Sequence, residues 1–170
     1  MITIAALIAF ASAQAPAQAP QGALPPEGPP ASADLISRAE ALAIAQESIY
    51  ACERRGETAV ALVTDANGRL RAGLSSDNAS AAGFFSAPRK SATVLAFHAS
   101  TRELQARLAA DPAFASANGA DPHYFFHPGA LPIYKAGKFV AVLAVGGGHD
   151  KDEACALDAL KLLPWARTKP

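Results

Sequence analysis

The sequence has little of two things that identify many small proteins, which are net charge and cysteine. Its 170 residues contain 15 Lys and Arg and 15 Asp and Glu, so the formal net charge is zero. A neutral chain lacks the basic surface with which nucleic-acid-binding and membrane-surface proteins hold anionic partners. Because of this charge balance we expect no nucleic-acid partner. The two cysteines are too few for a disulfide-rich scaffold or an all-cysteine zinc site.

Long hydrophobic runs are also lacking. No run reaches the roughly 18 apolar residues of a membrane-spanning helix, so we expect no span in the mature chain. Residues 2–11 form a short apolar run, and an Ala-Ser-Ala tripeptide at 11–13 is typical of a signal cleavage site. This pattern predicts a signal peptide within residues 1–19, cleaved after Ala13 or Ala19, and hence a periplasmic or secreted protein. Because no Lys or Arg precedes the run, an Ala-rich tail without a targeting role is the alternative.

The remainder of the chain divides into a linker and one domain. Residues 20–33 are rich in proline and alanine and have no periodic apolar pattern, which is typical of a linker. Periodic apolar patterns begin near Ser37 and continue almost to the carboxyl terminus. Residues 34–165 are therefore predicted to form a single domain.

Within this domain, helix and hairpin patterns alternate. The segments Ser37–Glu40 and Ser100–Glu103 are capping boxes, and Asn67-Gly68 is a strong hairpin turn. The predicted elements are a helix from Ser37 to Gly56, strands at 60–64 and 69–75, helices at about 87–99 (capped by Ser86) and from 100 to about 111, a loop at 113–129, strands at 131–134 and 138–145, and a helix at about 150–163. The order helix, hairpin, two helices, hairpin, helix predicts an α+β fold with a central antiparallel sheet of four to five strands flanked by helices.

Several short segments in this order resemble the GlcG/HbpS-like family of small haem-binding domains, also called the haem-degrading domain family. The segment Gly129–Ile133 is similar to the family pattern Gly-Gly-Leu-Pro-Ile, and Arg89-Lys90 with Thr93 is similar to Arg-Lys-x-x-Thr. Further similar segments are Val63–Gly68, Asp77–Ala79, Phe139–Gly148 and Asp152–Ala154. The resemblance covers about residues 35–163. It implies a homo-oligomer whose ligand is haem, and with the predicted signal peptide it predicts an exported protein that serves in haem binding, storage or sensing.

The sequence departs from the family pattern at several small residues. Ala130, Ala141 and Ala144 occupy positions where the family has glycine, and Gly146 occupies one where it has serine. A methyl group at a glycine position narrows the space available to a neighbouring backbone or ligand. We therefore expect the ligand site to differ in detail from that of the family.

The segment from His123 to His127 contains five successive aromatic side chains, three of which can ligate a metal or form hydrogen bonds. Its two imidazoles, one phenol and two phenyl rings can line an apolar pocket and offer an axial ligand to haem iron. His127, His123 and Tyr124 are therefore candidate haem-binding residues. His127 is the expected iron ligand, because it directly precedes the Pro-Gly turn into the Leu-Pro-Ile strand. In the alternative interpretation, Tyr124 to Phe126 pack on the core and both histidines face solvent.

Two basic residues on the second helix complete the candidate site. Arg89 and Lys90 can hold carboxylates such as the haem propionates. Alternatively, Lys90 forms a structural ion pair with Asp77 or Asp65.

The resemblance also bears on the two cysteines. The family layout places the first and last helices side by side, and Cys52 and Cys155 both lie on apolar stripes that are predicted to face inward. An exported protein experiences an oxidising compartment, so we predict a disulfide between them. Two free buried thiols are the alternative.

The residues alone give no case for an enzyme. No Ser-His-Asp set, Cys-His pair or His-Glu-x-x-His motif is present. The glycines at 146–148 precede three acidic residues, so we interpret them as a strand-ending turn and not as a phosphate loop. Two other functions stay open, namely an enzyme of the same fold that degrades haem or acts on a small organic acid, and a partner-binding module without a ligand.

Overall fold

The computed structural model describes residues 35–170. The predicted signal peptide (1–19) and linker (20–33) lie outside the described residues. The elements are α1 (Arg38–Glu53), β1 (Val60–Asp65), β2 (Leu70–Ser75), α2 (Ala81–Phe97), α3 (Thr101–Ala110), α4 (Pro112–Asn118), β3 (Ala130–Lys135), β4 (Lys138–Gly146) and α5 (Asp152–Leu160), with one 3-10 turn at His149–Lys151.

The four strands form one antiparallel sheet in the order β2-β1-β4-β3. Each hairpin contributes two neighbouring strands, and β1 pairs with β4 to join the hairpins. Asn67-Gly68 closes the first hairpin, and Gly68 has φ +77°, a backbone conformation that glycine adopts without the strain of a side chain. The predicted α+β fold with a central antiparallel sheet is confirmed.

Helices cover both faces of the sheet. Alternate residues of β4 point to opposite sides, so Leu143 and Val145 join a cluster with α1 and α5, whereas Val142 and Ala144 pack with Val94 of α2. We call these sides the α1/α5 face and the α2 face. No helix within residues 35–170 is long and apolar enough to cross a membrane.

A disulfide joins the two helices of the α1/α5 face. Cys52 and Cys155 are bonded, with 5.3 Å between their Cα atoms, and the cross-link spans 103 residues of sequence. Both side chains are fully buried. The predicted disulfide is therefore present in the structure, and it fixes the end of α1 against α5.

The start of α2 differs from the prediction. The helix begins at Ala81, because the Ser80 side chain accepts a hydrogen bond from the Gly83 amide and caps the first turn. The predicted cap, Ser86, is buried one turn inside the helix. Pro88 also lies in the interior and has no amide hydrogen to donate to the preceding turn. The proline suggested a first-turn position, and that interpretation was wrong.

The predicted loop after α3 contains a short helix. Asp111 caps α4 by accepting a hydrogen bond from the Phe114 amide at 3.0 Å, and Pro112 occupies the first helical position. Proline is well suited to that position, because the amide hydrogen it lacks would have no partner there. The Asp111-Pro112 pair thus starts a helix, whereas the sequence predicted that the third helix ends there and a loop follows.

Candidate functional site

A cleft opens at the edge of the α2 face, where α2, the segment before β3 and the connection from β4 to α5 meet. Its volume is about 180 Å³. Its lining residues are Ala82, Phe85, Ser86, Lys90, Phe125, His127, Gly147, His149 and Asp152. The cleft therefore has an α2 wall, a wall built by Phe125 and His127, a wall built by Gly147 and His149, and a charged floor.

The floor is a buried ion pair between Lys90 and Asp152. Lys90 Nζ donates to Asp152 Oδ2 at 2.5 Å, to the Pro128 carbonyl at 2.8 Å and to the Val145 carbonyl at 3.0 Å. These three acceptors use all the hydrogens of the ammonium group. The other carboxylate oxygen of Asp152 accepts from the Gly148 amide at 2.7 Å. Both side chains are at most 3% exposed, so every polar contact of the pair lies within the protein.

Burial and charge act in opposite directions on this pair. Burial lowers the pKa of the Lys90 ammonium and raises the pKa of the Asp152 carboxyl, because it disfavours the charged form of each group. The attraction between the two charges opposes both shifts. The pair thus costs desolvation energy and depends on its complete set of hydrogen bonds.

The same ion pair connects two walls of the cleft. The Pro128 carbonyl follows His127, and the Gly148 amide precedes His149, so Lys90 and Asp152 hold the backbone beside each histidine. Gly129 has φ +139°, and a Cβ there would lie 2.6 Å from Lys90 Nζ. Only glycine fits beside the lysine at this position.

One wall presents aromatic surface and a free imidazole nitrogen. The Phe125 and His127 rings are stacked, with 6.1 Å between their centroids, and the Phe85 ring meets Phe125 edge-on at 6.0 Å. The Phe125 amide is fixed by donating to Thr93 Oγ1 at 2.9 Å. His127 Nδ1 lies 3.4 Å from the Pro128 carbonyl, and its Nε2 has no hydrogen-bond partner within residues 35–170. This wall therefore offers apolar ring surface at Phe125 and an imidazole lone pair at His127, and the lone pair lies in the plane of the imidazole ring.

Of the candidate site residues, only His127 and Lys90 line the cleft. Arg89 lies beside it, where its Nε donates to the Pro122 carbonyl, its Nη1 donates to the Phe85 carbonyl and its guanidinium covers the Phe85 ring at 3.8 Å. His123 is exposed and pairs with Asp121 at 2.7 Å. Tyr124 belongs to a separate cluster of rings with Phe97, Phe114 and Phe126.

The partner of Lys90 is not one of those expected. Asp77 is exposed, and the buried Asp65 uses Oδ1 to accept from the Asn67 and Arg69 amides. Asp152 takes the role instead, because the β4–α5 connection returns the acidic helix start to the side of α2.

The alanines that replace family glycines do not line the cleft. Ala130 and Ala144 pack with Val94 and Val142 under α2, and Ala141 belongs to the main core on the other face. Their methyl groups fill the interface between helix and sheet and leave the cleft open.

Clusters of metal-ligating side chains are absent from the part of the chain that the structure describes. No group of three or more His, Cys, Asp or Glu side chains within residues 35–170 converges on one point.

Comparison with known proteins places this geometry in context. The family model described as "Haem degrading protein HbpS-like" matches residues 36–161. A crystal structure of HbpS is 30% identical, with a TM-score of 0.68, and the match covers 78% of this chain and 92% of that chain. A double mutant of HbpS from Streptomyces reticuli is also 30% identical, with a TM-score of 0.67. This match covers 87% of this chain and 99% of that chain. No curated protein sequence matches the chain.

A more distant structure shares the fold. PduOC, solved as a complex with haem, is 17% identical to this chain and has a TM-score of 0.72. The match covers 80% of this chain and 99% of that chain. At this level of identity, the similarity shows a common fold.

Proposed function

The chain belongs to the HbpS-like haem-degrading family, and from that membership we propose that it is a haem-binding protein, exported from the cytoplasm, that serves in haem binding, storage or sensing. The observation that carries the proposal is the free Nε2 of His127 in an aromatic wall. Imidazole nitrogen is a common axial ligand of haem iron. PduOC, which has the same fold, is solved in complex with haem.

The side chains that line the cleft are suited to haem, but the cleft is large enough to cover only part of the macrocycle. Phe85 and Phe125 offer aromatic surface, and His127 offers an imidazole nitrogen to the iron. Sites that enclose a small molecule have volumes of about 300–1,000 Å³, whereas this cleft has about 180 Å³. The macrocycle would therefore be covered in part and would leave an edge or face accessible to solvent or to another protein.

The chain's residues have separate tasks in this proposal. His127 would hold the iron through Nε2, and Phe125 and Phe85 would exclude water from one side of the bound group. Lys90 has no hydrogen left for a propionate, so it supports the walls of the cleft. Arg89 Nη2 has no partner within residues 35–170, and it can receive a propionate at the rim. When bound, haem itself supplies the redox chemistry of its iron.

An absorption titration of the full chain with haemin tests the proposal. We expect a saturable Soret band for the wild type and at least a tenfold weaker affinity for His127→Ala. His123→Ala is the matched control, because that imidazole is exposed and does not line the cleft. Equal affinity of the wild type and both variants would place the site elsewhere, and no saturable band in the wild type would overturn haem binding.

A second candidate function, haem degradation, is favoured by the description of the matching family model. The haemin complex treated with ascorbate in air would then lose its Soret band faster than free haemin does. Catalase in the assay removes peroxide, which bleaches haem without an enzyme. A stable band under these conditions supports binding alone.

Export and self-association belong to the same proposal. The apolar run at 2–11 and the Ala-Ser-Ala tripeptide after it support cleavage of a signal peptide. Intact mass of protein recovered from the native host tests this, and a cytosolic protein that retains Met1 would contradict export. Light scattering tests the homo-oligomer, and a monomer mass at tens of micromolar would contradict it.

A further inference from the structure

The two edges of the sheet differ in how they are protected. On the β3 edge, the Tyr134 backbone exchanges hydrogen bonds with Arg167 at 2.8 Å and 3.1 Å, and Pro132 has no amide hydrogen to offer. On the other edge, β2 pairs only with β1 within the described residues. An uncovered edge strand presents free N–H and C=O groups to which a strand of another chain can add. The β2 edge is therefore open to such a partner.

The backbone of β2 directs alternate peptide groups toward β1 and away from it. The Ser76 amide donates to the Ala59 carbonyl at 2.8 Å, in register with the pairing of β1 and β2. Because hydrogen bonding alternates along an antiparallel pair, Gly73 and Ser75 direct their N–H and C=O groups to the open edge. Both residues are exposed. A glycine inside a strand often marks a place where another backbone approaches closely.

Apolar grooves lie on both sides of β2. The groove on the α2 side has a volume of about 270 Å³, and Leu62, Phe84 and Pro88 contribute apolar surface to it. The groove on the α1 side has a volume of about 470 Å³ and includes Leu42 and Tyr50. Phe84, Leu42 and Tyr50 are 55%, 48% and 47% exposed. Exposed apolar surface of this kind is typical of a protein–protein contact. A strand added to β2 would direct alternate side chains toward both grooves.

The charges at the ends of β2 are complementary to each other. Arg69 precedes the strand and Asp77 follows it, and neither side chain has an ion-pair partner within residues 35–170. When two copies of β2 pair antiparallel about a two-fold axis at Gly73, Arg69 of each copy lies opposite Asp77 of the other. Arg71, the one charged residue of β2, then lies opposite the uncharged Ser75. This register therefore makes two contacts of opposite charge and places no like charges opposite each other.

We propose that a second copy of this chain pairs with the open edge of β2, so that two four-stranded sheets join into one of eight strands. A two-fold contact uses the same surface on both copies, and the opposite charges at the two ends of β2 satisfy that requirement. The free peptide groups and both grooves would be covered by the same contact. The inference rests on the proposed self-association, to which it assigns a surface, and it is independent of haem binding.

Charge reversal in the full chain tests the inference. Sedimentation equilibrium gives the dissociation constant of the assembly. We expect Arg69→Asp and Asp77→Arg each to raise that constant at least about tenfold, because each change places like charges opposite each other twice. The two changes combined restore opposite charges and should return the constant to within about threefold of the wild type. Lys169→Asp reverses an exposed charge near the β3 edge; it is the matched control and should leave the constant unchanged.

The outcomes separate this contact from self-association itself. If the wild type associates and both single variants associate equally well, or if the combined variant does not recover, the β2 contact is overturned and self-association stands. A monomeric wild type at tens of micromolar would overturn both, and the edge would then be free for a strand of a different protein. Far-ultraviolet circular dichroism should be the same for all variants, because neither Arg69 nor Asp77 has an ion pair to lose within the described residues.

Discussion

The α1/α5 face of the sheet is closed by a continuous apolar core and a disulfide, whereas the α2 face has a buried apolar cluster of only four residues. The α2 face also contains buried polar contacts. Thr64 Oγ1 lies 3.1 Å from Ser91 Oγ, and Lys90 pairs with Asp152. The comparison indicates that the two faces have different roles in the protein. Because buried apolar area stabilises the folded state, we expect the α1/α5 face to contribute more to stability than the α2 face, which carries the cleft and its costly buried charge.

Removal of the disulfide should have the largest effect on this comparison. In the chain-entropy model, a cross-link that closes a loop of about 100 residues contributes about 4–5 kcal/mol. We expect Cys52→Ser combined with Cys155→Ser to lower the free energy of unfolding by about that amount. Urea unfolding followed by circular dichroism measures it. A loss below about 1 kcal/mol would show that the α1/α5 face does not depend on the cross-link.

Replacement of the buried lysine should have the next largest effect. Lys90→Met leaves Asp152 buried without its counter-charge, which costs about 3–5 kcal/mol of unfolding free energy. Lys90→Met combined with Asp152→Leu removes both charges and should recover part of that loss. If the double variant is as unstable as the sum of the two single variants, the pair is not coupled as the structure shows.

Two valines on one strand compare the faces directly. Val145 packs in the large core and Val142 packs under α2, and both are fully buried. We expect Val145→Ala to lower the free energy of unfolding by about 2–3 kcal/mol and Val142→Ala to lower it by about 1 kcal/mol less. The difference arises because the partly exposed side chains of Leu95 and Phe139 can move into the cavity that Val142→Ala leaves. Equal losses in parallel urea titrations would contradict the difference between the faces.

Substitutions in the two capping boxes should have the smallest effect, which is a change in stability at acidic pH. Hydrogen bonding from Ser37 lowers the pKa of Glu40, and hydrogen bonding from Ser100 does the same for Glu103. A lowered pKa in the folded state adds stability above the unfolded value of about 4.3, and this stability is lost as the pH falls through the folded pKa. Glu40→Gln and Glu103→Gln should each lose less stability than the wild type between pH 7 and pH 3. An unchanged pH profile in both variants would contradict the role of the carboxylates.

Local signals in the sequence were sufficient for much of the fold. The two capping boxes and the Asn67-Gly68 turn act over a few residues, so they predict helix starts and a hairpin without tertiary information. The start of α2 was missed because Ser80 is followed by small residues that carry no helical stripe, and Pro88 suggested a later start. Tertiary packing of α2 on the sheet overrides that local preference.

The candidate site was less predictable because its contacts are distant in sequence. Lys90 and Asp152 are 62 residues apart and meet only because β4 returns the chain to α2. The place of His127 before the turn into β3 made it a candidate, and it lines the cleft, whereas the sequence gave no indication that His149 lines the same cleft. Tyr124 and His123 belong to the same short segment as His127, yet the structure directs them to other surroundings.

The most direct test of the account is to map where the macrocycle binds. A diamagnetic substitute, gallium protoporphyrin, can be added to the isotope-labelled full chain while amide chemical shifts are recorded by NMR. The account predicts the largest shifts at cleft residues of the α2 face, in particular Phe125, His127, Gly147 and His149, and small shifts along α1. Shifts centred on the groove between α1 and β2, which Leu42, Tyr50 and Leu74 line, or the absence of saturable shifts, would contradict it.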